Sequence, residues 1–311
     1  MSVHSNLKKE QAALQKSRSI NDPLDTYFTE KISLVIAKIF NKFGWSPNSA
    51  TVISLLHGVA GAVLLCFNVL WMTIVGVILI FLSAVYDCAD GQIARMSGKG
   101  SLYGRCFDGF ADGVVYVAIY VAVSIRLMSQ LIPFTDVKWS FWIFLVSTPI
   151  AAYFHSEQAR TADYHKNMYM YLTGNSHSEF TNSRSLAKEI DVMPKRSFKK
   201  LVCASYLSYT KAQERMTPQF QKLYQKIQDN GGNVPEKLQE FWKKNTRHTI
   251  WLSNTLVFNL RTYTLFVLLF LSLEFWIFPF IVLILEPIRI YMLVKYERLA
   301  KRATKECFDE I

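Results

Sequence analysis

Apolar residues in this 311-residue chain are gathered into blocks of about twenty, the length a helix needs to cross ~30 Å of hydrocarbon. Six such blocks are read at 50–69, 71–90, 107–127, 139–158, 250–272 and 275–294, the last two joined tightly around Glu274. Inside a bilayer every backbone polar group must be satisfied within the segment, so each block is expected to be a helix. Residues 1–25, with Lys8, Lys9, Lys16 and Arg18, lack the apolar core of a secretory signal and are expected to remain on the chain.

The net charge of +11 matters less than its placement. Seven Lys or Arg precede the first block, three lie from Arg95 to Arg105, sixteen from Arg160 to Arg247, and five from Lys295 onward. The opposite side receives only Arg126 and Lys138. Positive charge collects on the cytoplasmic side of membrane proteins, so both termini and the 87–112 segment are expected there. The basic excess is read as contact with anionic headgroups rather than with nucleic acid. Five cysteines are scattered without a CxxC pair. Cys88 and Cys106 are read as small packing residues, because soft thiolates suit hard cations poorly.

Between the blocks the chain divides further. A polar tail, 1–23, leads into 24–43, where Leu24, Phe28, Ile32, Ile36 and Phe40 share one helical face beside Lys31, Lys38 and Lys42. That pattern predicts an amphipathic helix on the membrane surface; an ordinary core helix is the alternative. Gly44 and Pro47 end it, and Asn48 or Ser49 is expected to cap the first span. Residues 44–160 hold the first four spans and 250–296 the last two, before a tail at 297–311. The intervening 161–249 is read as a helical cytoplasmic insertion. Its amphipathic helices are expected at 197–209 (Phe198, Leu201, Val202, Tyr209), 218–229 (Phe220, Leu223, Tyr224, Ile227) and 235–244 (Leu238, Phe241, Trp242). Asn230-Gly231-Gly232-Asn233 reads as the turn between the last two. The fold class expected is therefore all-α: six membrane helices after a surface helix.

DCADGQIARMSGKGSLYGRCFDGFAD, Asp87 to Asp112, is the chemically charged stretch. Asp87 and Asp90 are three apart and Asp108 and Asp112 four apart, so each pair shares a helix face. Four converging carboxylates repel one another unless a cation neutralises them. Magnesium and manganese prefer such oxygens and offset diphosphate charge. Gly91, Gly98, Gly100 and Gly104 allow close approach of a ligand, and Arg95, with Lys99 and Arg105 nearby, offers phosphate a partner.

The stretch matches D-x2-D-G-x2-A-R-x8-G-x3-D-x3-D, met in full by Asp87, Asp90, Gly91, Ala94, Arg95, Gly104, Asp108 and Asp112. It resembles the signature of the CDP-alcohol phosphotransferases, and GWSPNSAT at 44–51 looks like that family's approach to its first span. The resemblance implies attack of an alcohol on a CDP-linked phosphate with release of CMP. It further implies Asp87, Asp90, Asp108 and Asp112 as ligands of Mg²⁺ or Mn²⁺, and Asp112 also as general base. Asp90, Gly91, Ala94, Arg95 and Gly104 would line the CDP site. A homodimer is common in the family. The apolar neighbours Val114, Val115 and Val117 would leave room for lipid tails.

For the acceptor, Arg160 and Arg261 are expected to clamp a second phosphate, since an arginine inside an apolar block usually faces a polar cavity. Pairing of Arg261 with another helix is the structural alternative. His155, Glu157, Asp163 and His165 have no common zinc spacing and are read as a polar rim. Gly109 after Asp108 disfavours the choline and ethanolamine branch. The leading expectation is transfer of a phosphatidyl group from CDP-diacylglycerol to inositol phosphate, with glycerol phosphate second. A soluble CDP-alcohol donor with a lipid acceptor, and a non-enzymatic cation transporter or scaffold, are the alternatives.

Overall fold

The structure is a computed structural model describing residues 29–174, 180–194, 196–247 and 249–308. It is helical throughout, with a single isolated bridge, Leu131 to Lys138, among the described residues. Leu24 and Phe28 of the expected surface helix lie outside these residues.

Helix α1, Glu30–Lys42, turns Ser33, Ala37 and Phe40 inward and leaves Ile32, Val35, Ile39 and Phe43 exposed. Helices α2 (Pro47–Leu65), α3 (Leu70–Ser97) and α4 (Leu102–Leu127) follow. Ser46 caps α2, its Oγ accepting from Ser49 N at 3.3 Å, so the cap stands ahead of the expected Asn48 or Ser49. Pro47 follows as first helical residue, where its missing N–H costs nothing. Helices α2 and α3 pack nearly backbone to backbone. A Cβ on Gly61 would meet Gly76 O at 2.7 Å, as small residues permit between membrane helices. Gly98 ends α3 at φ 67°, in the left-handed region, and Ser101 Oγ caps α4 by accepting from Gly104 N at 3.0 Å. The short link makes α3 and α4 antiparallel, which brings Asp87–Asp90 and Asp108–Asp112 to the same end.

Helix α5, Trp142–Leu172, is 31 residues long, about 46 Å at 1.5 Å per residue. Then come α6 (Ser183–Asp191), α7 (Phe198–Met216), α8 (Pro218–Asp229) and α9 (Glu236–Thr246). Short α10, Leu252–Thr255, and α11, Phe258–Phe270, precede α12, the continuous helical run Glu274–Phe308. Pro287 removes a backbone donor inside α12, and widened π-helical turns occupy Phe280–Leu285 just before it.

Four helices, α2, α3, α4 and α12, are long and apolar enough to cross a membrane. Of the other two expected spans, 139–158 begins three residues ahead of α5 and ends inside it, and its apolar run stops at Phe154 before His155 to Arg160. The other, 250–272, is broken between α10 and α11. Among the described residues the bundle therefore has four candidate spanning helices.

Two cores stack along the long helices. One buries Ile80, Val115, Val123, Leu127 and Ile281 among α2–α4, α11 and the first turns of α12. The other buries Phe220, Leu223, Ile227, Leu238 and Trp242 against Tyr164, Met168, Tyr296 and Ala300 of α5 and α12. Those α8 and α9 residues are the ones the amphipathic pattern marked. In α7 the pattern fits less well: Val202 and Cys203 are buried, whereas Phe198 and Leu201 are exposed. A third cluster joins Cys106 and Phe107 of α4 to Leu186, Ile190, Val202 and Cys203 of α6 and α7. The 161–249 segment thus leans on the helix that carries Asp108 and Asp112.

Candidate active site

Carboxylate oxygens of Asp87, Asp90 and Asp108 lie within 4.8 Å of one another, at the facing ends of α3 and α4. Thr51 on α2 donates to Asp90 Oδ2 at 2.5 Å and so fixes one member of the group from a third helix. Asp108 Oδ1 is buried with no hydrogen-bond partner among the described residues. An orphaned carboxylate oxygen among like charges is costly, and a hard cation would satisfy it. The donor set consists of oxygens alone, and it fits Mg²⁺ or Mn²⁺. Asp112, one turn beyond Asp108, is exposed and adjoins Asp87. The spacing of the four aspartates gathers them as expected, with three in a tight group and Asp112 at its side.

The expected CDP-site residues line the same end. Arg95 is exposed and its guanidinium lies over Gly91, where a Cβ would meet Nη1 at 3.3 Å. A Cβ on Gly104 would approach Asn48 Oδ1 to 3.3 Å, so α2 and α4 close on each other there. Ala94 is half-buried on the same turn of α3. Gly109 and Gly113 face open space, next to exposed Phe110 and Val117, and leave that side of α4 free.

The two arginines have different settings. Arg160 pairs with Glu157 on its own helix, and its guanidinium lies 5.1 Å from the centroid of the Tyr209 ring of α7. Gln213 of α7 also donates to Arg160 O at 3.2 Å. Arg261 is only 2% exposed. Its Nη2 donates to Gln158 Oε1 at 3.0 Å and to Leu256 O at 2.5 Å, satisfying a carbonyl freed where α10 and α11 part. Its Nε and Nη1 have no hydrogen-bond partner among the described residues. A cavity of about 10 Å³, room for roughly one water molecule, lies among Tyr116, Tyr120, His155 and Arg261.

Tyr116 connects these parts. It is four residues after Asp112 on α4, feels the charges of Asp112, Arg160 and Arg261, and stacks on His155 at 4.1 Å. Tyr120 hydroxyl and His155 Nδ1 are 2.7 Å apart. Sequence reading passed over Tyr116 and Tyr120, although their four-residue steps from Asp112 place them on its face. Thr51 closes the GWSPNSAT stretch but was assigned no role from sequence. His155, Glu157, Asp163 and His165 diverge around α5. Asp163 accepts from Gln213 and Asn167, and His165 is stacked on Tyr296 at 4.2 Å. Burial pushes His165 down to about 3, so it stays neutral and adds no positive charge.

Residues 45–167 match the family described as CDP-alcohol phosphatidyltransferase. Phosphatidylinositol phosphate synthase from Corynebacterium glutamicum is similar, with 31% identity over 91 residues. The match takes in 29% of this chain and 40% of that relative, so the chain spans about two fifths of the relative's length. No solved structure matches the chain.

Proposed function

We propose a phospholipid-synthesising membrane enzyme, starting from the CDP-alcohol phosphatidyltransferase domain that the chain carries at residues 45–167. It moves a phosphatidyl group from CDP-diacylglycerol to a small polar alcohol and releases CMP. The observation that carries this reading is the group of Asp87, Asp90 and Asp108 within 4.8 Å, with an orphaned oxygen on Asp108.

Asp87, Asp90 and Asp108 would hold Mg²⁺ or Mn²⁺, with Asp112 at the edge of the set, and a bound ion would supply positive charge for the diphosphate oxygens and the leaving phosphate. Arg95 pairs with the diphosphate, while Gly91, Ala94 and Gly104 let the nucleotide lie against α3 and α4. Lipid tails pass along the open Gly109–Gly113 side of α4. Asp112 takes the proton from the acceptor hydroxyl as its oxygen attacks the lipid-bearing phosphorus. The phosphorus–oxygen bond to CMP breaks and CMP departs with the electron pair.

The acceptor is inositol phosphate by first preference and glycerol phosphate by second. Arg160 exchanges Glu157 for the acceptor's phosphate, and Arg261 adds its unpaired N–H groups from behind Tyr116. The name of the Corynebacterium glutamicum relative favours the inositol compound. The site faces the cytoplasm, as do both termini, and α5 with α10–α11 completes a six-span bundle. The α1 helix lies on the membrane surface through Ile32, Val35, Ile39 and Phe43.

The test is CMP release by purified protein from CDP-diacylglycerol with Mg²⁺ or Mn²⁺. The acceptor panel holds inositol, inositol phosphate, glycerol phosphate, serine and a blank. Release with inositol phosphate, abolished by chelator, is expected. Turnover only of CDP-choline or CDP-ethanolamine with diacylglycerol would reverse donor and acceptor. Cation binding without any CMP release would remove the enzyme reading.

A further inference from the structure

The far half of α12 changes character within one turn. Its exposed residues are apolar through Leu283, Ile284, Ile290, Tyr291 and Val294. After Val294 the exposed residues are Arg298, Lys301, Arg302 and Lys305. Glu274, at the start of α12, is bound to Arg126 at the far end of α4, opposite the aspartates. From Glu274 to Leu293 is nineteen residues, about 29 Å of helix against a hydrocarbon layer of ~30 Å. Leu293 therefore sits where the bilayer gives way to water, on the same side as the aspartate site. Tyr291, 5.8 Å from Lys295 Nζ, is the kind of pair found at that depth.

A groove of about 340 Å³ opens at this level between α12 and the junction of α7 and α8. Its apolar part is made by Met216, Pro218, Leu293 and Val294; its polar end is made by Arg298 and Lys301, three residues apart on one face. Glu297 is the acid in the groove, and it is already engaged. It accepts from the backbone N–H groups of Gln219 and Phe220, at 2.7 and 3.1 Å, and caps the start of α8. Neither Arg298 nor Lys301 has an ion-pair partner among the described residues. Two cations thus stand beside an apolar recess at the depth of phospholipid headgroups.

We propose that this groove binds an anionic phospholipid of the surrounding bilayer, its phosphate on Arg298 and Lys301 and the top of its chains against Met216, Leu293 and Val294. The site is separate from the aspartate cluster and stands whether or not the transfer reaction does. Charge complementarity selects the occupant: a zwitterionic headgroup brings its own cation to a place that already holds two.

The test is native mass spectrometry of the full chain in detergent, titrated with phosphatidylglycerol, phosphatidylcholine or inorganic phosphate. Wild type is expected to retain phosphatidylglycerol over phosphatidylcholine. Arg298→Met with Lys301→Met, which keeps the apolar stems, is expected to weaken that retention about 20- to 30-fold, each charge counting about fivefold. Lys243→Met with Lys244→Met, exposed on α9 and outside the groove lining, is the control and should retain it. Equal retention of the two lipids by wild type would overturn the proposal without any variant. So would undiminished binding by a Met variant that melts like wild type, or inorganic phosphate displacing the lipid as an equal ligand.

Discussion

Arg126 and Arg261 are both buried in the bundle, 4% and 2% exposed, yet the chain treats them differently. Arg126 donates to Glu274 Oε1 at 2.7 Å, Thr73 Oγ1 at 2.7 Å and Phe67 O at 3.0 Å. It thereby ties the ends of α2 and α4 to the starts of α3 and α12. Gln130 donates to the same Glu274 oxygen, and Glu274 Oε2 has no hydrogen-bond partner among the described residues. Among the described residues Arg261 has an amide and a carbonyl for company, no carboxylate, and two N–H groups without a partner. A buried charge that the chain neutralises itself is part of the frame. One left short of counter-charge marks a place where a ligand completes the set. Asp108 is the acidic counterpart: one of its buried oxygens has no hydrogen-bond partner among the described residues.

The largest expected effect falls on the unfinished side of this contrast. Asp112→Asn keeps size and removes the proposed base, and should lower CMP release by roughly 100- to 10,000-fold. Its melting temperature in detergent should stay at the wild-type value, since Asp112 is exposed. Near-normal turnover would take Asp112 out of the proton transfer.

Glu274→Ala makes the complementary break. It strands Arg126 without counter-charge and should cost about 3–5 kcal/mol, the usual penalty for halving a buried ion pair. Chemical unfolding would read this, while CMP release per folded molecule should change little, because the latch lies at the far end of α4 from Asp108. Normal stability with lost turnover would invert the comparison.

What could be read in advance follows the same division. The Asp87–Asp112 spacing fixes which groups share a face, so the cluster was legible without coordinates. In water-facing α8 and α9, Phe220, Leu223, Ile227, Leu238 and Trp242 were legible because burial there follows apolarity. In membrane helices it does not, since lipid is as apolar as any core. Hence α2 buries Gly58 and Gly61 and shows Val52, Leu56 and Val63 outward. Partners far apart in sequence were equally invisible: Thr51 and Asp90 are 39 residues apart, Arg126 and Glu274 148. The break between α10 and α11 was hidden as well, because its freed carbonyl is satisfied by Arg261 rather than by a turn signal.

Arg261→Ala sharpens the contrast from the ligand side. Losing charge-assisted bonds to an acceptor phosphate should raise the acceptor KM about 10- to 100-fold with kcat changed less. Steady-state kinetics with inositol phosphate, alongside a melt, would separate this from loss of the Gln158 and Leu256 contacts. An unchanged KM with a lower melting temperature would return Arg261 to the frame beside Arg126.

Arg160 stands between the two cases, paired with Glu157 yet proposed to release it. What holds its guanidinium when that pair opens is the Tyr209 ring, 5.1 Å away on α7. Desolvation pushes the Tyr209 phenol well above its usual range, so the ring stays neutral and its face remains attractive to a cation. Tyr209→Leu keeps bulk and removes that face, and should raise the acceptor KM about two- to fivefold, the smallest effect of the series. Tyr209→Phe should restore the wild-type value, because the ring rather than the hydroxyl faces Arg160. If Leu and Phe behave alike, α7 supports the bundle only through the Cys106–Val202 cluster. If Phe alone rescues, the water-facing insertion takes part in gripping the acceptor, through an arginine that is neither wholly frame nor wholly site.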